Sequence, residues 1–215
     1  MITLAIETSA KTFSIAFSRD NLLIGEVFWH TEYNHSEKLL PAIGWLLKNL
    51  HLKLDEIEKV AVSTGPGSFT GIRVGLACAK TLSQNLGIGL VCIDSFDILS
   101  KSINCGRHFV IPAIDALRGE VFVKFNGKIS IWSIEDLSKK IDSVKSKVVL
   151  TGSALVSYGP RLKKLITKKD KVIFSDVYYP RAGVLALMSV KMKTINYALA
   201  RPLYIRRSWA EERNK

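Results

Sequence analysis

The fold is decided by the stretch Ser63-Thr64-Gly65-Pro66-Gly67-Ser68-Phe69-Thr70-Gly71-Ile72-Arg73-Val74-Gly75-Leu76-Ala77-Cys78-Ala79-Lys80. It follows the short β-branched run 59–62, which is typical of a strand covered on both faces. Glycines on both sides of Pro66 allow a sharp turn, and Ser68 can then cap a long helix. The first amide groups and the positive dipole end of that helix would attract an anion. The spacing matches neither common phosphate-loop pattern, so a purely structural turn stays open as the alternative.

Small residues recur along this helix at every fourth position. Gly71, Gly75 and Ala79 therefore lie on one face. Each glycine inside a helix costs about 1 kcal/mol of helix propensity, so the stripe needs a compensating reason. We expect that reason to be the close approach of another helix, either within the chain or from a partner.

The first half of the chain has the element order βββαβαβα. Three alternating or apolar runs separated by short polar turns predict an antiparallel meander, and later apolar runs alternate with helical stripes. The predicted strands are 2–6, 12–17, 22–29, 60–63 and 89–93, and the predicted helices are 35–50, 69–86 and 94–102.

The second half repeats this order. Its predicted strands are 109–114, 121–125, 128–132, 148–150 and 172–174, and its predicted helices are 133–141, 156–165 and 182–193. The sequence therefore predicts an α/β fold of two duplicated domains of ribonuclease H-like type, as in actin, Hsp70 and sugar kinases. We expect an N-terminal domain at 1–102 and a basic C-terminal domain at 103–215, with a surface tail from Leu203 onward.

Net charge is distributed unevenly between these halves. Residues 1–102 hold 9 Lys and Arg against 10 Asp and Glu, whereas residues 103–215 hold 22 against 9. A basic half beside a neutral half is typical of a partial nucleic-acid footprint. Lysines on solvated faces explain the same numbers, and both interpretations stay open.

Neither a membrane span nor a secretory signal is predicted. Glu7 and Lys11 interrupt any signal-type apolar region, and no apolar run reaches the roughly 18 residues of a membrane helix. The three cysteines form no CxxC pair, which favours reduced core thiols. We therefore expect a cytoplasmic protein.

Three segments carry a resemblance to a known family. They are Leu4-Ala5-Ile6-Glu7-Thr8-Ser9, His35-Ser36-Glu37-Lys38-Leu39-Leu40-Pro41 and the nine residues from Gly65 to Arg73, with looser matches at 115–116, 179–182 and 202–206. In this order and spacing, the chain resembles the bacterial tRNA threonylcarbamoyladenosine biosynthesis protein TsaB (YeaZ) family, in the glycoprotease-like, actin-like ATPase superfamily.

The resemblance implies a function and a set of partners. Members of this family are non-catalytic subunits that bind and activate the transferase TsaD, which forms N6-threonylcarbamoyladenosine at tRNA position 37. It further implies the ATPase TsaE as a partner, tRNA contact through the complex, and a homodimer when TsaD is absent. ATP is then used by the complex, and no cofactor of this chain itself is certain.

A candidate nucleotide or anion site follows from the actin-like architecture. An acid at the end of the first strand would hold a metal or water, and the following hairpin would cradle phosphate. The candidate residues are Glu7, Thr8, Ser9, Gly65, Gly67, Ser68, Arg73, Asp115 and Gly152. The alternative is an inherited cleft that has lost its ligand. For Arg73, the candidate partners are an internal carboxylate such as Glu7, a phosphate, or an acidic residue of another subunit.

No catalytic or metal-binding residue is predicted. None of the four histidines has the i, i+4 spacing of a helical metal site. The TsaD family is known for a histidine pair on the helix after the fifth strand, and the segment 94–100 carries none. In the segment His35-Ser36-Glu37, neighbouring side chains at a helix start point in different directions, so a helix cap is favoured over a hydrolase relay.

The predicted partner surface lies on the two N-terminal helices. Their apolar stripes and the glycine stripe would form a wide face that receives TsaD. The predicted contact residues are Leu39, Ile43, Leu46, Phe69, Gly71, Ile72, Gly75 and Ala79. The main alternative is a stand-alone nucleotide-dependent transferase or peptidase that uses the interdomain cleft, and an RNA-binding module working through the basic half is a third hypothesis.

Overall fold

The computed structural model describes residues 1–30, 35–104, 106 and 108–206, with only the backbone described for His35. All the predicted strands and helices are present within a few residues of their expected bounds. The strands are β1 (Ile2–Glu7), β2 (Thr12–Arg19), β3 (Leu22–His30), β4 (Ile57–Ser63), β5 (Gly89–Ile93), β6 (Phe109–Asp115), β7 (Glu120–Phe125), β8 (Lys128–Ser133), β9 (Val148–Thr151) and β10 (Val172–Phe174). The helices are α1 (His35–Asn49), α2 (Phe69–Leu86), α3 (Ser95–Lys101), α4 (Ile134–Ser143), α5 (Ala154–Leu165) and α6 (Ala182–Ser189).

Two five-stranded sheets have the same topology. The first has the order β3-β2-β1-β4-β5 and the second the order β8-β7-β6-β9-β10. In each sheet the first three strands are antiparallel, and the fourth and fifth run parallel to the first. The structure therefore confirms the predicted fold class, an α/β protein built from a duplicated ribonuclease H-like unit.

The chain divides differently from the predicted domains 1–102 and 103–215. One compact unit consists of residues 1–98 and 181–203, and the other of residues 99–180 with residues 204–206. The helix α6, predicted as part of the C-terminal domain, thus belongs to the first unit. Of the tail predicted from Leu203 onward, the part from Arg207 on lies outside the described residues, as do Cys105 and Arg107 just after the predicted boundary at residue 102.

Both faces of the first sheet are covered. Successive side chains of a strand point to opposite faces, so Leu4 and Ile6 of β1 pack with α1 and α2, whereas Ala5 packs with α6. Within the described residues, no helix is both long and apolar enough to cross a membrane.

Polar residues of the first sheet hold α6 at both ends. At its N-terminus, Ser14 Oγ accepts a hydrogen bond from the Ala182 amide (3.1 Å), and Glu26 Oε1 accepts one from the Gly183 amide (3.0 Å). At its C-terminus, the buried Lys59 Nζ donates to the carbonyls of residues 189, 190 and 192. A cation at a helix C-terminus also interacts favourably with the helix dipole. These contacts explain why α6 joins the first unit.

Candidate functional site

Three parallel strands of the first unit bring four serines to one edge of the sheet. β1, β4 and β5 all end there, so Ser9, Ser63 and Ser95 meet. Ser95 Oγ is hydrogen-bonded to Ser9 Oγ (2.9 Å) and to Ser63 Oγ (3.1 Å). The Ser68 amide donates to the Ser9 carbonyl (2.7 Å). The hairpin after β1 and the glycine turn after β4 are therefore bonded directly to each other.

The glycine turn is closed by this contact. A Cβ atom on Gly67 would overlap the Ser9 carbonyl, and Gly65, at φ +90°, leaves no space beside Ile72. Ser68 Oγ accepts a hydrogen bond from the Gly71 amide (3.2 Å), so the predicted cap is present. The Ser68 amide, one of the groups expected to face an anion, instead donates its hydrogen bond to the Ser9 carbonyl. This contact favours the structural-turn alternative, and an anion site at the turn stays a prediction.

The carboxyl group of Glu7 is fully buried at the end of β1. Glu7 Oε1 accepts a hydrogen bond from the Ser9 amide (2.6 Å), and Oε2 accepts none from the described residues. Burial raises the pKa of Glu7, and the hydrogen bonds to Ser9 only partly oppose that shift. The neighbouring Thr8 hydroxyl donates to the Gly71 carbonyl (2.7 Å). Glu7, Thr8 and Ser9 are thus interior residues, contrary to the prediction that they line an open ligand site.

The acidic residue of the second unit is occupied by its own chain. Asp115 Oδ1 accepts hydrogen bonds from the Leu117 amide (2.7 Å) and the Tyr158 hydroxyl (3.1 Å), and Oδ2 accepts one from Ser157 Oγ (2.5 Å). Its amide donates to Ser153 Oγ (3.0 Å). Asp115 therefore joins the end of β6 to α5.

Gly152 lies near this aspartate and packs closely against β6. Its φ is +108°, and a Cβ atom there would overlap the Ala113 carbonyl. A glycine is needed at this position because of that close approach. Within the described part of the chain, no group of three or more His, Cys, Asp or Glu side chains is placed to hold a metal ion.

Seven of the eight predicted partner residues are buried in the first unit, which corrects the prediction that they form an exposed surface. Leu39, Ile43 and Leu46 are 2–3% exposed and belong to its core, as do Ile72 and Ala79. Both helices present these residues to the sheet. Phe69 alone keeps a partly exposed side chain.

The glycine stripe of α2 packs against β1 rather than against a partner. A Cβ atom on Gly71 would overlap the Thr8 carbonyl, and one on Gly75 would overlap Thr8 Oγ1. The close approach predicted from the stripe is therefore real, but the neighbour is the end of a strand of the same unit. A glycine stripe alone does not distinguish an internal neighbour from an external one.

The opposite sides of α1 and α2 are exposed. We use the term helix face for six of these residues, which lie on two helices that contact each other on one side of the sheet. They are Leu40, Pro41, Gly44, Trp45, Arg73 and Ala77. Leu40 is 60% and Trp45 57% exposed, and they lie five residues apart on one helix, so they form a patch rather than isolated exposed side chains.

Arg73 is part of the helix face. Its guanidinium group lies 3.7 Å from the centre of the Phe69 ring, a cation–π geometry that keeps Phe69 partly covered. In the sequence, Leu40 and Leu47 lie beside the stripe of Leu39, Ile43 and Leu46, which makes the apolar face of α1 too wide for one contact surface. That width was the available signal for the exposed face, and Trp45 was missed because it lies within the apolar run 42–47, where the sequence does not show which side chains face outward.

Comparisons with known proteins give a consistent result. A family model described as "TsaD: tRNA N6-adenosine threonylcarbamoyltransferase" matches residues 29–206. The tRNA threonylcarbamoyladenosine biosynthesis protein TsaB of Bacillus subtilis (strain 168) is 28% identical over 224 aligned positions, covering 98% of this chain and 96% of that protein.

Further relatives extend this result to a second sequence and a solved structure. The TsaB protein of Buchnera aphidicola subsp. Schizaphis graminum is 30% identical over 199 positions, covering 84% of this chain and 89% of that protein. The structure of YeaZ from Pseudomonas aeruginosa superposes with a TM-score of 0.76 at 20% identity, covering 95% of this chain and 100% of that one, which shows the same fold. Within the family described by the TsaD model, the chain therefore belongs to the TsaB (YeaZ) group.

Proposed function

We propose that this chain is the non-catalytic subunit that binds TsaD and activates it for threonylcarbamoyl transfer to adenosine 37 of tRNA. TsaE is then the ATPase of the assembly, and the chain pairs with itself when TsaD is absent. The observation that carries this proposal is the helix face, an exposed apolar surface on two packed helices of a TsaB-family protein.

The two helices that carry the helix face are large enough to receive a helical partner. α1 and α2 have 15 and 18 residues. At about 1.5 Å per residue and about 10 Å per helix diameter, they form a surface of about 25 Å by 20 Å, on the order of 500 Å². That projected area is compatible with the roughly 800 Å² of accessible surface that each partner buries in a stable protein interface.

The side chains of this face also have the composition of an interface. Trp45 and Arg73 are of the residue types that carry most binding energy in interfaces. Gly44 lies between Leu40 and Trp45 in the sequence, and a Cβ atom there would have no neighbour within 4 Å among the described residues. An incoming helix can approach α1 closely at Gly44 while large side chains contact it on both sides.

A non-catalytic role agrees with the burial of Glu7 and the hydrogen bonding of Asp115, two of the candidate ligand residues. The carboxyl group of Glu7 is buried and that of Asp115 is held by three hydrogen bonds from its own unit. Activation would then arise by binding: a partner that contacts one arrangement of TsaD better than another shifts TsaD toward that arrangement by the difference in free energy.

Co-purification with TsaD tests this proposal. Trp45→Glu and Ala77→Glu place a carboxylate on the helix face without touching the core. Val156→Glu is the matched control, because Val156 is an apolar residue exposed at 54% on a helix of the other unit. We expect the first two variants to lose TsaD while keeping the far-UV circular dichroism of the wild type, and the control to retain TsaD. Retention of TsaD by all three variants would reject the helix face as the binding surface.

A modification assay separates an activator from an enzyme. The purified chain is incubated with ATP, threonine, bicarbonate and tRNA, with or without TsaD and the other proteins of the pathway. We expect modified adenosine only when TsaD is present, and more of it when this chain is added. Modified adenosine in the reaction that contains this chain alone would favour the stand-alone transferase instead.

A further inference from the structure

Two lysine-rich loops meet at one edge of the second sheet. β6, β9 and β10 are parallel, and Val148 at the start of β9 pairs with both Phe109 and Val172. The loops that precede β9 and β10 therefore lie side by side, and the Phe109 amide donates to the Lys147 carbonyl (2.9 Å). We use the term basic edge for the lysines of these two loops, which are Lys145, Lys147, Lys168, Lys169 and Lys171.

Asp142, near the end of α4 and just before the first loop, fixes α4 to the second loop. Its carboxylate accepts hydrogen bonds from the Thr167 amide (3.1 Å), the Thr167 hydroxyl (2.8 Å) and the Lys168 amide (3.0 Å). In return, Lys168 Nζ donates to the Asp142 carbonyl (2.7 Å). The basic edge is thus a built surface with a defined backbone, and not a set of lysines scattered over separate elements.

The chain segment that contains the basic edge is strongly basic. Residues 139–171 contain ten Lys and Arg but only two Asp, a net charge of +8, whereas residues 1–102 carry a net charge of −1. Of the two acidic residues, Asp142 is committed to the loop contacts described above. The side chains at 145, 147, 168 and 169 are exposed. Lysines on adjacent loops repel one another, so a bound polyanion would stabilise the arrangement.

We infer that the basic edge binds the phosphate backbone of the tRNA on which this pathway acts. The inference rests on the proposed function, since that function supplies the RNA. Lysines act as point charges toward phosphate, so the contact would position RNA without reading its sequence. An anionic membrane surface is the competing polyanion, and the family assignment to a tRNA-modifying group favours RNA.

Fluorescence anisotropy with labelled tRNA and the isolated full-length chain tests this inference. Each phosphate contact contributes about −0.7 to −0.9 to the slope of log Kobs against log salt, so four or five contacts weaken binding roughly 100-fold between 50 and 200 mM salt. The variant Lys145→Glu/Lys147→Glu/Lys169→Glu should lower the magnitude of that slope by about 2 to 3 and weaken binding more than tenfold at 100 mM salt.

A matched variant controls for net charge. Lys11→Glu/Lys191→Glu/Lys193→Glu changes the total charge equally, and its three lysines are exposed on the other unit. We expect this control to bind tRNA within about threefold of the wild type. Equal losses of tRNA affinity in both triple variants, or no binding of tRNA by the wild type at 50 mM salt, would overturn the inference.

Two further measurements distinguish the competing explanations. Vesicles containing phosphatidylserine test the membrane alternative, and binding to vesicles but not to tRNA would also overturn the inference. TsaD capture by the basic-edge variant separates the two proposals. Loss of tRNA binding with TsaD retained supports the basic edge, whereas tRNA binding by a wild-type chain that fails to capture TsaD rejects only the proposed function.

Discussion

The substitution Gly75→Ala tests the internal packing of α2. In the structure the added Cβ atom overlaps Thr8 Oγ1 and lies 3.5 Å from Thr8 Cβ and 3.6 Å from Ile6 Cγ2. Thr8 cannot easily withdraw, because its hydroxyl donates to the Gly71 carbonyl (2.7 Å) and its own carbonyl lies against Gly71. The methyl group therefore has to displace β1 or α2.

The expected cost follows from two opposing effects. Overpacking a close-packed interior costs about 1–3 kcal/mol, and the fixed position of Thr8 places this site near the upper value. Alanine gains about 1 kcal/mol over glycine in helix propensity. We expect a net loss of about 2 kcal/mol in the free energy of unfolding, which lowers the urea midpoint by about 0.7–1 M at a slope of about 2–3 kcal/mol/M.

Urea unfolding followed by circular dichroism measures this loss. Ala77→Gly is the control on the exposed side of the same helix, where propensity alone predicts a loss of about 1 kcal/mol. Adding Thr8→Ala to Gly75→Ala removes the overlapping hydroxyl, so the double variant should be more stable than the sum of the single effects predicts. A Gly75→Ala chain that is as stable as the wild type but binds TsaD more weakly would refute this packing and restore the glycine stripe as a partner surface.

Three further predictions concern buried or hydrogen-bonded charges. Lys59 is 6% exposed and donates hydrogen bonds to three carbonyls at the end of α6. Lys59→Met should therefore lower the free energy of unfolding by about 3 kcal/mol in urea titrations. Lys191→Met, at an exposed position, is the control and should have no measurable effect. Burial raises the pKa of Glu7, so the wild type loses stability as the pH rises above 4.5, the ordinary pKa of a glutamate. In thermal melts, Glu7→Gln should be more stable than the wild type at pH 8, and this difference in stability should shrink toward pH 4. Burial alone would raise the pKa of Asp142, but hydrogen bonds from residues 168 and 167 outweigh it and lower that pKa. The stability that this gives the folded chain is present above about pH 3.8 and is lost as the pH falls. Asp142→Asn should therefore be less stable than the wild type at pH 7 and equal to it near pH 2.

The element order could be predicted because it depends on local patterns. Alternating residues in β2 and the four-residue stripe of α2 are visible in short windows of sequence. The duplication followed from recognising the same order twice, and the two sheets confirm it. The Ser68 cap was also predictable, since capping needs only residues three apart.

The position of α6 could not be predicted in the same way. The contacts that hold it come from Ser14, Glu26 and Lys59, which are more than 100 residues away along the chain. A buried lysine on a strand gives no local signal that three carbonyls of a distant helix will surround it. The unit to which α6 belongs is therefore a property of the tertiary structure.

The sequence by itself determined the fold class, the order of the elements and the family of this protein. The tertiary structure decided which residues of α1 and α2 are covered and which are exposed. Both helices have apolar residues on more than one side, and helical periodicity states which residues share a face but not which face meets the sheet. That choice was made by the close fit of Gly71 and Gly75 on Thr8, which buries the glycine stripe and leaves Leu40 and Trp45 facing outward.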